Sequence, residues 1–221
     1  MMSEIVIGRR SQKNVIGAFK TLVPKHKSWI GAGILCLVAA VVIYAFYSVI
    51  AGWTLNYVVL SCSGQLADKN PSEISQLFSA FTQSSFLPVI YQFIFLGISA
   101  YIIVLGVQNG IEKGTKILMP ILFILIIFMC IRSVTLPNAQ RGIDFLFKTD
   151  FSKINADVIL EALGQALFSL SIGMGALITY GSYIRKQDNI FTTSLWIAFA
   201  DTLIAVLAGV AIFPAVFSFG L

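Results

Sequence analysis

The chain has 221 residues, of which 57% are hydrophobic and only 11% charged, with a mean hydropathy of +0.88. Runs free of Asp, Glu, Lys and Arg from Ser28 to Ala67, Ile74 to Ile111 and Ile117 to Ile131 exclude a soluble domain and mark a polytopic helical membrane protein. The net charge of +5 does not point to nucleic acid, because the basic residues fall in short segments beside the apolar runs, as membrane orientation requires.

Residues Glu4 to Lys27 form a basic segment in which Gly8-Arg9-Arg10-Ser11 reads as a helix end and Val15 to Leu22 as a short interfacial helix. The opening Met1-Met2-Ser3-Glu4 does not read as a secretory signal. His26, among lysines, reads as a solvated loop residue. As the sole histidine, with no Ser/Cys–His pair or metal-ligand cluster around it, it argues against an enzyme. Cys36 and Cys130 lie within spans, where cysteine is usually a small hydrophobe, and together with Cys62 they show no metal spacing and no disulfide framework.

The first span is expected over about 29–57, with Tyr44, Tyr47 and Trp53 carrying polar tips that need partners. Tyr47 lies below the interfacial belt and should face protein or a cavity. Ser61 to Ser85, with Asp68, Lys69 and Glu73, reads as an outside loop holding a short helix from Pro71. The second span is expected over about 86–108 and the third over about 117–131, joined by a tight turn from Asn109 to Lys116, with Pro120 in the third span's first turn. Arg132 to Asp157 is a loop of mixed charge.

The fourth span, about 158–184, is the unusual one. Ser169, Ser171, Gly173 and Gly175 crowd its centre, within Gln165-Ala-Leu-Phe-Ser-Leu-Ser-Ile-Gly-Met-Gly175, and Glu161 is the only charge before its end. Small residues at this spacing suit either a close helix-packing face or an interrupted helix. An interruption is tolerated at membrane depth only where protein or a polar cavity satisfies the opened backbone. The fifth span, about 190–219, holds one acid, Asp201, and Pro214 near its far end. An acid inside a membrane helix marks a functional position by default. The other reading of Asp201 is a structural acid hydrogen-bonded to a neighbouring span.

Ten basic residues lie on the N-terminal side of the spans (Arg9, Arg10, Lys13, Lys20, Lys25, Lys27, Lys113, Lys116, Arg185 and Lys186). Five lie on the other (Lys69, Arg132, Arg141, Lys148 and Lys153). This bias predicts a cytoplasmic N-terminus in a multi-pass protein of the cell membrane.

Several stretches, in order, resemble the neurotransmitter:sodium symporter family, in particular its bacterial amino-acid transporters. The most specific are Gly164-Gln165 through Ser171-Ile172-Gly173-Met174-Gly175 and Thr179-Tyr180-Gly181-Ser182-Tyr183-Ile184-Arg185-Lys186. Supporting pieces are Glu4-x-x-x-Gly8-Arg9, Gly52-Trp53-Thr54-Leu55, Gly110-Ile111-Glu112-Lys113 and Asp144-Phe145-Leu146-Phe147. The resemblance covers essentially the whole chain, from late in the family's second membrane helix through its seventh. It implies an all-α membrane fold of five transmembrane helices with one discontinuous helix, a partial form of the family's inverted-repeat architecture, read as a single membrane domain over residues 1–221.

The implied function is sodium-coupled symport of a neutral, apolar or aromatic amino acid, with co-transported sodium and no organic cofactor. Tyr47 corresponds to the tyrosine that binds the substrate's carboxylate, and Ile43 to an apolar wall of the side-chain pocket. Phe168 matches the aromatic lid, Ser169 a ligand of the sodium ion nearest the substrate, and Ser171 the position meeting the substrate's amino group. Met174 stands where the leucine transporter has a phenylalanine against the substrate side chain, and methionine's adaptability suits varied apolar side chains. Gln165 and Tyr183 correspond to gating residues on opposite sides of the membrane, and Glu4 to a brace for the opened sixth helix. Asp201 resembles the fixed carboxylate that replaces chloride in bacterial members, although an ungapped count back from Pro214 puts it one residue from the family's sodium-ligand asparagine. The implied partners are the amino-acid substrate, the lipid bilayer and the family's first, eighth and later helices, without which this chain is not expected to transport. The alternative is a truncated, non-transporting membrane remnant or a helix-packing assembly subunit.

Overall fold

The computed structural model describes residues 1–67, 69–148, 150–185 and 187–220, and every regular element among them is helical. Asp68 and Lys186, both placed by the sequence in flanking segments, lie outside the described residues. The chain forms two compact units, Met1–Ala40 with Met119–Leu221, and Val41–Leu118.

Ten α-helices follow in chain order among the described residues. They are α1 (Met2–Ser11), α2 (Val15–Leu22), α3 (Trp29–Cys62), α4 (Pro71–Gln83), α5 (Leu87–Val104), α6 (Lys113–Val134), α7 (Ala139–Phe147), α8 (Ala156–Ser169), α9 (Ala176–Gly181) and α10 (Ile190–Phe219). Among the described residues four stretches are long and apolar enough to cross a membrane: α3, α5, residues Asn109–Val134 containing α6, and α10. The remaining span is the interrupted pair α8 and α9, neither of which is long enough alone.

Polar side chains set the starts of α2, α4, α8 and α10. Asn14 accepts from the Gly17 N–H at 2.8 Å, Asn155 from Val158 N–H at 2.9 Å, and Asn189 from Phe191 and Thr192 N–H groups at 3.0 and 3.3 Å. Glu73 reaches back to the Asn70 N–H at 2.9 Å, with Pro71 pre-set at the start of α4. The helix end read at Gly8 to Ser11 is real: Gln12 turns left-handed (φ 52°) and its N–H bonds Gly8 O.

In the first unit, α1 and α9 pack backbone to backbone. A Cβ on Gly8 would collide with the Ile178 carbonyl, and one on Gly181 would sit 2.6 Å from Ile5 O. Ile5, Leu177 and Ile190 close one small core, and Val15, Ala18 and Ile178 a second. Outside these clusters most large apolar side chains point outward, as spanning helices require. The helix α7 lies against the end of α10, where Phe145 meets Phe213 and Phe217 at ring-centroid distances of 5.1 and 5.5 Å. The mixed-charge stretch from Arg132 to Asp157, expected as loop, thus contains a helix.

The second unit joins the C-terminal part of α3 to α4 and α5. Phe78 contacts Trp53 and Tyr57, and Phe81 contacts Tyr91 edge to face. The expected tight turn at Asn109–Lys116 is not a turn. Residues Val107–Glu112 form a π-helical segment running directly into α6, and the positive φ comes earlier, at Gly106 (φ 83°). Pro120 therefore stands inside α6 and not in its first turn. The first span also continues past its expected end, to Cys62.

Candidate functional site

The fourth span is broken where its serines and glycines cluster. Helix α8 stops at Ser169, and the chain re-enters a helix only at Ala176. Within the gap Ser171, Gly173 and Gly175 take left-handed φ values of 53°, 87° and 72°. Glycine adopts that region without penalty, whereas Ser171 holds it against a steric cost of roughly 1 kcal/mol. The last turn of α8 closes through Ser171 N–H to Phe168 O and Ile172 N–H to Leu167 O. Beyond it the backbone needs partners from elsewhere.

Glu4 supplies one. Its Oε1 accepts the Gly173 N–H at 2.7 Å across 169 residues of sequence, placing a carboxylate of α1 on the opened backbone. Its other oxygen, Oε2, is buried without a partner among the described residues. The break is also held from behind, since a Cβ at Gly175 would lie 2.7 Å from Val15 Cγ2 and 3.2 Å from Cys36 Cβ. A second tie secures the far end: Arg9 Nη1 donates to Asp188 O at 2.8 Å, joining the end of α1 to the segment before α10.

The other polar contact at the break is Ser169 Oγ to Asp201 Oδ1, at 2.6 Å. Hydroxyl-to-carboxylate bonds of this length are charge-assisted. Because the serine hydrogen points at Asp201, its lone pairs are left free to face a cation, and a hydroxyl beside a carboxylate is the hard oxygen set that Na⁺ prefers over nitrogen or sulfur. Phe168 next to Ser169 is 44% exposed, while Ser171 and Met174 are half-buried in the break itself.

The first unit thus pairs Ser169 with Asp201 and Glu4 with the Gly173 backbone, and Phe168, Ser171 and Met174 lie at or within the same break. Gln165 lies exposed on α8 and Tyr183 is 62% exposed just past α9, and neither makes a side-chain hydrogen bond among the described residues. Tyr47 and Ile43 belong to the second unit, on α3, where Tyr47 is 54% exposed and Ile43 half-buried. The Arg9 tie and the seating of Cys36 behind Gly175 are not among the expectations from sequence. Neither has a local signal, because each depends on segments distant in the chain meeting.

Comparison with known proteins agrees with this arrangement. The profile of the sodium:neurotransmitter symporter family matches residues 87–219. The chain is 38% identical over its whole length to an uncharacterized sodium-dependent transporter, YhdH, of Bacillus subtilis, and 40% identical to an uncharacterized sodium-dependent transporter of Haemophilus influenzae. It covers 49% and 50% of those two proteins, so it spans about half the length of the curated relatives it matches. The crystal structure of MhsT in complex with L-phenylalanine superposes on the full chain with a TM-score of 0.92 at 42% identity, and the chain covers 50% of that protein. A broken membrane helix braced by a carboxylate, the family profile and a near-identical fold converge on one conclusion: this chain belongs to the sodium:neurotransmitter symporter family, whose members are membrane transporters.

Proposed function

We propose that this chain is part of a longer transporter that couples inward sodium movement to uptake of a neutral amino acid with an apolar or aromatic side chain. The observation that carries the reading is the 2.6 Å contact of Ser169 Oγ with Asp201 Oδ1 beside the opened backbone of a membrane helix. Support comes from relatives described as sodium-dependent transporters and from a similar protein crystallised with L-phenylalanine.

In this reading Ser169 ligates sodium and Asp201 supplies a fixed negative charge beside it. The same carboxylate takes the place that a chloride ion would fill, making transport independent of chloride. Ser171 meets the substrate's amino group, Met174 lines its side-chain pocket and Phe168 closes over it. On α3, Tyr47 donates its hydroxyl to the substrate's carboxylate and Ile43 adds an apolar wall. Gln165 and Tyr183 gate the outer and inner approaches, and Glu4 keeps the opened helix from collapsing. The N-terminus faces the cytoplasm and the protein resides in the cell membrane, consistent with the bias of Lys and Arg.

The test is uptake of L-phenylalanine by the full-length protein in proteoliposomes under an imposed sodium gradient. Uptake that needs inward sodium and is unchanged when gluconate replaces chloride supports the reading. Uptake indifferent to sodium contradicts it.

A further inference from the structure

The second unit contains a polar chain for which the assigned roles have no use. Gln92, on the membrane helix α5, donates from Nε2 to Ser48 Oγ on α3 at 2.9 Å, and Ser48 donates in turn to Ala45 O at 2.8 Å. Ser48 is 1% exposed. Its single hydroxyl hydrogen is committed to Ala45 O, so toward Gln92 it can only accept, and the chain runs in one direction. Ser48, Gly52 and Asn56 follow at every fourth residue and are all buried. At Gly52 a Cβ would meet the Gln92 backbone nitrogen at 2.9 Å. The two helices therefore cross in near backbone contact at the level of Gln92.

Small residues alone would permit that crossing. A glutamine adds little stability there, since hydrogen bonds between membrane helices contribute modestly, and its amide is costly to place in a span. What it adds is direction, because its donor fixes how far α3 is rotated about its own axis. Successive helical residues are turned by about 100°, so fixing Ser48 fixes the face on which Tyr47 stands. The chain's two ends on α3, Ala45 O and Ser48 Oγ, lie on either side of Tyr47 in sequence.

We propose that Gln92 is a positioning residue: through Ser48 it sets the rotation of α3 at Tyr47 and so aims the tyrosine hydroxyl at the substrate's carboxylate. This rests on the role of Tyr47 proposed above. The test uses the full-length protein in proteoliposomes, with L-phenylalanine as probe and the variants Gln92→Leu, Ser48→Ala, Tyr47→Phe and Gln92→Leu/Tyr47→Phe.

Gln92→Leu raises the half-saturating L-phenylalanine concentration about tenfold, the order expected when a hydrogen bond to a charged group is mis-set. The maximal rate and the thermal midpoint stay unchanged. Ser48→Ala, which cuts the same link without adding bulk to the crossing, gives the same rise. In the Tyr47→Phe background Gln92→Leu costs nothing further. Losses that add in the double variant overturn the proposal, as does a fall in rate and thermal midpoint with unchanged half-saturation. If Tyr47→Phe alone leaves half-saturation unaltered, the role of Tyr47 fails first, and the failure is attributable to it.

Discussion

Ser169 and Asp201 lie 32 residues apart in sequence and meet at 2.6 Å, hydroxyl to carboxylate, where α8 gives way to an irregular segment. The contact places the one acid of α10 against the last helical residue before the break. It combines a negative charge, a hydroxyl and opened backbone at one point in a membrane segment. A structural acid tied to a neighbouring span would make the same contact, so the cation role proposed for it rests on the sodium dependence tested below.

If Asp201 is the fixed charge of the site, its neutral isostere weakens sodium binding while keeping the shape. Asp201→Asn raises the sodium concentration for half-maximal L-phenylalanine uptake by about tenfold or more, the factor that ~1.4 kcal/mol represents. Sodium titration of uptake in proteoliposomes measures it. An unchanged sodium requirement assigns Asp201 a structural role.

Glu4 braces the Gly173 N–H from another helix. Glu4→Ala removes the acceptor of that exposed N–H, at a cost of about 0.5–1.5 kcal/mol, whereas Glu4→Gln retains an acceptor oxygen at the same place. The expected order of thermal midpoints in detergent is wild type, then Glu4→Gln, then Glu4→Ala. Equal midpoints for the two variants would show that the oxygen is not what matters.

The close approach of α1 and α9 depends on the missing side chain of Gly181. A methyl group there sits 2.6 Å from Ile5 O, with backbone on both sides and no flexible side chain to yield. Gly181→Ala destabilises by about 1–3 kcal/mol through overpacking. A lowered thermal midpoint checks this, with Gly97→Ala as control because a Cβ at Gly97 meets nothing within 4 Å.

Much of the fold is legible from residue type. Unbroken apolar runs gave the long helices, and serines and glycines between 169 and 175 marked the interruption. Two misreadings share a cause. Asn109-Gly110 has the chemistry of a turn, yet the positive φ lies at Gly106, and Asn109 is part of the helical stretch that continues into the next apolar run. Mixed charge from Arg132 to Asp157 suggested loop, yet Phe145 finds Phe213 and Phe217 on α10, and that distant contact stabilises α7. The same limit applies to the site. Each residue near the break carries a local signal, but the pairings of Ser169 with Asp201 and Glu4 with Gly173 depend on topology and not on composition.

The most direct test of the central claim is L-phenylalanine uptake by the full-length protein, measured with an inward sodium gradient and again with potassium replacing sodium, for the wild type and for Ser169→Ala. Accumulation by the wild type in sodium alone is expected, with a markedly higher sodium requirement for Ser169→Ala at unchanged protein levels. Equal accumulation in potassium, or a Ser169→Ala protein with the wild-type sodium requirement, would contradict that claim.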